Sequence, residues 1–121
     1  MTDIDYVAPL DGAVRVDFDY PAAARALDVI RTADGALGDH ALYLAAVKEA
    51  TGEGWAGVHR GEFERAHGLL ERSFTGAADG LATLRVTILR AIRSANDEQA
   101  LHNRRRADEV ATAAGLPPPR V

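Results

Sequence analysis

The sequence predicts an all-α protein, on three observations. Apolar residues recur at helical spacing over two long stretches, aromatic residues make up only 6% of a chain rich in alanine, and glycines cluster where the two stretches meet. Such a composition favours helices that approach closely over a thick aromatic core. At 121 residues, the chain is expected to form one domain, near the lower end of what folds comfortably alone.

The first helix is predicted to run from about residue 21 to residue 50. It starts at Pro21, after the acidic Asp19, because proline has no N–H to leave unpaired in the first turn. Apolar side chains then follow at helical spacing, at Ala23, Leu27, Ile30, Leu37, Ala41 and Leu44. Residues 1–18 are predicted to form a flexible tail, with a short extended piece at "AVRVDFD".

A turn is predicted at residues 51–57, where three glycines supply the positive φ that chain reversal needs. The second helix then runs from about residue 58 to residue 100 or beyond. It carries two interleaved seven-residue series typical of a coiled-coil seam, Leu70, Ala77, Leu84, Ala91 and Phe74, Leu81, Ile88, Ala95. The hairpin as a whole covers residues 19–112, and residues 113–121 are predicted to be a disordered tail.

Two long antiparallel helices joined by a short loop form a helical hairpin, which buries only one face of each helix. A seam of this length therefore predicts a second hairpin and a four-helix bundle. The residues expected at the partner interface are the large apolar ones of both helices, Leu27, Ile30, Leu37, Leu44, Leu70, Phe74, Leu81, Leu84 and Ile88.

The loop carries the motif Trp55-Ala56-Gly57, and Phe63 follows six residues after the glycine. A Trp-x-Gly turn between two such helices, in a chain of this length, resembles the WXG (ESAT-like) superfamily of type VII (ESX) secretion systems. The resemblance covers about residues 18–100, from "VDFDYPAAARAL" through "LATLRVTILRAIRSA". By itself the tryptophan is equally well explained as a plug for the open end of a bundle core.

The resemblance implies a non-enzymatic protein without a cofactor, acting as a secreted substrate or as the co-secreted partner of an effector. The implied partner is a second copy, a paralogous WXG-type chain or the helical N-terminal domain of an effector, and a secretion ATPase is a further candidate. Export would proceed without a cleaved signal peptide, from a cytoplasmic pool to the outside of the cell.

The chain departs from the family in the region after the second helix. Exported pairs usually carry Tyr-x-x-x-Asp/Glu there, whereas "LHNRRRADEV" has no tyrosine, so either a partner supplies the signal or this chain is not itself addressed for export. Arg104, Arg105, Arg106 and Asp108 form a candidate recognition segment. The alternative is a solvated helix end, where arginines complement the helix dipole.

Two other functions are compatible with the sequence. A cytoplasmic dimeric adaptor would use the same bundle without export. A carboxylate-metal bundle enzyme is a remote alternative, suggested by Glu64 and His67 at i, i+3 spacing, although no second Glu-x-x-His occurs. Neither a phosphate-binding glycine motif nor a serine elbow is present.

Composition narrows the remaining classes. The chain has no cysteine, which excludes thiol chemistry. Its net charge is -4, with ten acids and four bases in residues 1–54 against eight acids and ten bases in residues 55–121. This asymmetry suits two antiparallel segments better than a nucleic-acid surface, which would want an overall basic excess. No apolar run approaches the roughly 20 residues needed to cross a bilayer, so no membrane insertion is expected.

Overall fold

The computed structural model describes residues 5–52 and 57–115, and these ranges contain two α-helices and no strand. Helix α1 runs over Tyr20–Gly52 and helix α2 over Gly57–Ala113. The two helices pack against each other and run antiparallel. The prediction of an all-α fold built from two long packed helices is therefore confirmed.

Helix α1 begins with the cap that the sequence indicates. The Oδ1 atom of Asp19 accepts a hydrogen bond of 2.9 Å from the backbone N–H of Ala22, and the Asp19 carbonyl accepts one from Ala23 N at 3.1 Å. An aspartate at this position pairs backbone donors that the first helical turn leaves open. The observed start at Tyr20 lies one residue before the predicted one.

Helix α2 continues to Ala113, where Gly115 follows with a φ of 75°. The N–H of Gly115 donates to the carbonyl of Thr112 at 3.0 Å. A glycine with positive φ just beyond the last turn is a common helix stop, since it has no Cβ to strain. The segment "DEQALHNRRRADEVATA", within or beyond which the second helix was predicted to end, is helical.

The chain divides into two compact units. The hairpin unit is Leu27–Val86, and the terminal unit combines Met1–Ala26 with Thr87–Val121. In the hairpin unit the interior contains Leu27, Ile30 and His67, and in the terminal unit it contains Ala24, Ile92, Ala95 and Gln99. Each interior is narrow and mixes apolar with polar side chains.

In the terminal unit, residues 5–16 lie along α2 as a non-helical segment, here called the clasp. It runs out along the helix, reverses, and returns toward α1. The reversal is a β-turn closed by Ala13 N donating to Leu10 O at 2.9 Å, and its third residue, Gly12, has a φ of 79°. A positive φ at that turn position favours glycine. The sequence predicted a flexible tail in this region, with a short extended piece at residues 13–19.

Candidate functional site

The loop motif lies only partly within the described residues. Trp55 falls in the range 53–56, outside them. Gly57 is the first residue of α2 and has a φ of 69°, a backbone conformation that favours glycine. Phe63 is half-buried on α2, with its ring centroid 5.9 Å from that of His67.

Among the described residues of the hairpin unit, His67 is the most buried, with 3% of its surface exposed. Its Nε2 atom lies 3.0 Å from the backbone carbonyl of Leu44 on α1, and its Nδ1 atom lies 2.8 Å from the Glu71 carboxylate. The contact with Leu44 O links the two helices of the hairpin, and the contact with Glu71 lies within α2.

The Glu64 and His67 pair, considered as a metal half-site, does not converge. Oε1 of Glu64 accepts from Nε of Arg60 at 3.2 Å on the solvent side of α2, whereas the His67 ring turns inward to Leu44 and Glu71. Within residues 5–52 and 57–115, no group of three or more histidine or carboxylate side chains has the arrangement to hold a metal ion.

A cleft of about 520 Å³ lies between α1 and α2 in the hairpin unit. Small residues such as Gly38, Ala41 and Ala78 leave the space open, and Asp34 and Glu71 stand among its lining residues. Glu71 is already engaged with His67. This side of the hairpin is therefore both hollow and charged, which suits a solvated surface better than a helix–helix contact.

The residues predicted for the partner interface divide by exposure. Leu27 and Ile30 are buried within the chain, at 6% and 8% exposed. Leu37, Leu44, Phe74, Leu81 and Ile88 are half-buried. Leu70 and Leu84 remain open to solvent at 48% and 54%. Of the two predicted series, the one through Leu70 and Leu84 is thus the one that the chain's own packing leaves accessible.

A continuous uncharged surface surrounds these two leucines. On α2 it comprises small and apolar residues at helical spacing, all of them exposed, Ala66, Leu69, Leu70, Ser73, Ala77, Gly80 and Leu84. On α1 the matching positions are Val29, Ala36 and Tyr43, also exposed. We call this surface the charge-free face.

The two halves of the charge-free face lie on the same side of the hairpin. The contacts that set Leu44 beside His67 and His40 beside Phe74 fix the antiparallel register. That register brings Tyr43 level with Leu70, and a helical wheel puts both on the side away from the cleft. Leu70 and Leu84 are 14 residues apart, which corresponds to about 21 Å along the helix.

The residues of the candidate recognition segment on α2 differ in their contact with the clasp. Arg104, Arg105 and Asp108 are exposed or half-exposed to solvent. Arg106 is half-buried, and its Nε donates to the backbone carbonyl of Asp11 at 3.3 Å. One arginine of the segment therefore contacts the N-terminal part of the chain, while Arg104 and Arg105 face solvent.

Three polar residues of α2 that no sequence motif singles out hold the clasp. Asn96, Gln99 and Asn103, here called the amide row, occupy one helix face at i, i+3 and i+7, and each bonds to clasp main-chain atoms. Their spacing continues the buried helix face of Ile92 and Ala95. Carboxamides at positions where apolar residues are expected were therefore the sign in the sequence that this face binds a polar group.

Comparisons with known proteins give no match, whether with family models, with curated proteins or with solved structures. Within the described ranges, neither helix has an apolar stretch that could cross a membrane. The functional proposal consequently draws on the sequence resemblance and on the surfaces of the fold.

Proposed function

We propose that this chain is a small WXG-type protein of a type VII (ESX) secretion system, acting as a secreted substrate or as the co-secreted partner of an effector. Its working surface would be the charge-free face, on which a second helical hairpin packs to form a four-helix bundle. The sequence resemblance supports the secretion assignment, and the uncharged, exposed face on one side of the hairpin is the observation that supports pairing.

The charge-free face has the properties of a helix–helix contact. Tyr43 is 71% exposed, Val29 68%, Leu70 48% and Leu84 54%, and large apolar side chains grouped on one surface commonly mark an interaction site. Small residues such as Ala77 lie between them and allow close approach of another helix. The cleft side carries charged carboxylates instead, so burial there would cost desolvation of charge.

The pairing proposal is tested by Leu70→Glu combined with Leu84→Glu. Both leucines are exposed, so the single chain should fold, but a bundle would bury two unpaired carboxylates at a cost of several kcal/mol. We expect the wild type to sediment as a dimer, alone or with a co-expressed paralogue, and the double variant as a monomer of unchanged helical content. Leu81 and Ile88 are poorer probes because the chain half-buries them itself.

Leu42→Glu is the matched control, because Leu42 is 73% exposed yet lies off the charge-free face on the helical wheel. It should leave the dimer intact. A double variant that still dimerises, or a wild type that stays monomeric with every candidate partner, contradicts the pairing proposal. Detection of the wild-type pair in the culture medium of the producing cell separates the secretion proposal from the cytoplasmic adaptor.

A further inference from the structure

The amide row binds the clasp through main-chain atoms. Asn96 accepts from Val7 N at 3.0 Å and donates to Asp5 O at 3.0 Å. Asn103 accepts from Leu10 N at 2.8 Å and donates to Ala8 O at 2.9 Å. Each carboxamide thus supplies one acceptor and one donor to an extended main chain, the same pair that a neighbouring β-strand would offer.

Gln99 binds main-chain atoms of the returning limb of the clasp, at Val14 and Val16, in the same way. Its Oε1 accepts from Val16 N at 3.0 Å, and its Nε2 donates to Val14 O at 2.9 Å and to Asn103 Oδ1 at 3.0 Å. Gln99 is 3% exposed, and its hydrogen bond to Asn103 fixes the orientation of both amides. The row is therefore an aligned set of donors and acceptors with a buried centre.

Val7, Pro9, Ala13 and Val16 of the clasp are half-buried, whereas its other apolar side chains are exposed. Val14 is 64% exposed, and Leu10 is 45% exposed, so both of these apolar groups are directed largely away from α2. Where the main chain must turn, Gly12 lies against Arg106, and a Cβ at that position would come within 2.7 Å of Arg106 Nε. The row consequently selects for an extended main chain with a glycine at the turn.

We propose that the amide row and Arg106 form a binding site for an extended polypeptide segment, filled by the clasp of the same chain and open to the clasp of a second copy when its own is released. Residues 5–16 are the ligand whose hydrogen bonds to this site are described above. The connection from the clasp to α1 is short, and Phe18 N donates to Val16 O at 3.1 Å in its bend.

The test uses the full-length chain with Gly12→Val, which should open the clasp while every residue of the site keeps its identity. Valine tolerates a positive φ poorly, and its Cβ would displace the Arg106 side chain. A fluorescent synthetic peptide of residues 5–18 is then titrated. We expect it to bind Gly12→Val at least about tenfold more tightly than the wild type, because the wild-type site is open for only a fraction of the time.

Gly35→Val is the matched control, since nothing lies within 4 Å of a Cβ there and its φ is not positive. It should bind the peptide as weakly as the wild type. Adding Asn103→Ala to Gly12→Val should remove peptide binding, and so should placing Gly12→Val in the peptide. A peptide with Leu10→Thr and Val14→Thr should bind within about threefold of the original, because these exposed groups contribute little.

A mixture of two variants tests whether the site of one copy binds the clasp of another. Isotope-labelled Gly12→Val chain, which has a site but no fitting clasp, is combined with unlabelled Asn103→Ala chain, which has a clasp but a defective site. Shifts of the Asn96 and Gln99 side-chain amides are expected on mixing.

The proposal fails if Gly12→Val binds the peptide no better than the wild type, or if its Leu10 amide keeps wild-type exchange protection. It also fails if mixed copies leave the amides unshifted. Its outcome is independent of the charge-free face, because a double variant at Leu70 and Leu84 should bind peptide unchanged.

Discussion

The Tyr20 hydroxyl donates a hydrogen bond of 2.7 Å to Oδ1 of Asn96 and joins the first turn of α1 to α2. The Tyr20 ring stands between two aromatic neighbours, with centroids 4.7 Å from Tyr6 and 4.8 Å from Phe18, both edge-on. Burial raises the pKa of the Tyr20 hydroxyl above its usual value of 10.0, and the nearby Tyr6 hydroxyl raises it further. The folded state therefore favours the neutral phenol.

Alkaline pH should destabilise the fold through Tyr20. A group whose folded-state pKa is raised contributes its full stability below the unfolded pKa and loses it as the pH rises through the folded pKa. The free energy of unfolding of the wild type should thus fall as the pH rises above about 10, since the phenolate also has no proton to donate to Asn96. Urea unfolding at pH values from about 9 to about 11 measures the slope across this range.

Tyr20→Phe should be less stable than the wild type at neutral pH but should show a flatter alkaline slope. Tyr43→Phe is the control in the Leu70→Glu, Leu84→Glu background, which should be monomeric, because Tyr43 is 71% exposed in the single chain and should leave the slope unchanged there. Lysine side chains contribute little to the alkaline slope, because the chain contains a single lysine, Lys48. Equal slopes for the wild type and Tyr20→Phe would refute the assignment to this residue.

Loss of the Gln99 carboxamide should release the returning limb of the clasp. Gln99→Met keeps the length of the side chain but leaves Val16 N and Val14 O without their partners. We expect a loss of about 2 kcal/mol in the free energy of unfolding and faster hydrogen exchange at the Val16 amide. Glu98→Met, at a side chain that is 59% exposed, should change stability by less than about 0.5 kcal/mol. Unchanged protection of Val16 in Gln99→Met would contradict this role.

Local signals predicted the helices of this protein well. Asp19 before Pro21 indicated the cap of α1, and the observed bond from Ala22 N to Asp19 Oδ1 has the geometry of that cap. Helical periodicity indicated both long helices. Such signals act between residues close in sequence, so a single chain reveals them.

The clasp could not be predicted by the same means. Its hydrogen bonds to α2 join residues that are 83 to 95 positions apart, and they engage main-chain atoms that every residue has. These hydrogen bonds therefore require no particular side chains in residues 5–16 that would indicate their partner. The one available sign was on α2, where Asn96, Gln99 and Asn103 continue an apolar line.

The two heptad series of α2 illustrate a second limit of periodicity. The sequence assigned both series to one seam, yet Phe74, Leu81 and Ile88 are half-buried while Leu70, Ala77 and Leu84 are exposed. A single neighbouring helix covers a narrower arc than three neighbours in a bundle do. Periodicity locates an apolar stripe, but the number of helices that cover it is a property of the assembly.

His67 should contribute more to hairpin stability than any exposed histidine. His67→Ala removes its contacts with Leu44 O and Glu71 and leaves a cavity between the helices, for an expected cost of about 2–3 kcal/mol. Glu71→Gln keeps an acceptor beside Nδ1 and should cost less. His59→Ala should be close to neutral, because its side chain is 88% exposed. Urea midpoints compare the three variants, and equal effects of His67→Ala and His59→Ala would contradict the prediction.

Two glycines should respond to alanine with opposite signs. Gly35 lies within α1, and nothing stands within 4 Å of the point where a Cβ would be added, so Gly35→Ala should stabilise the chain by about 1 kcal/mol through helix propensity. Gly12 has a φ of 79° and lies against Arg106, so Gly12→Ala should destabilise by about 1–2 kcal/mol, the cost of the left-handed conformation. Thermal unfolding followed by circular dichroism measures both. A stabilising Gly12→Ala would show that the turn of the clasp does not need its glycine.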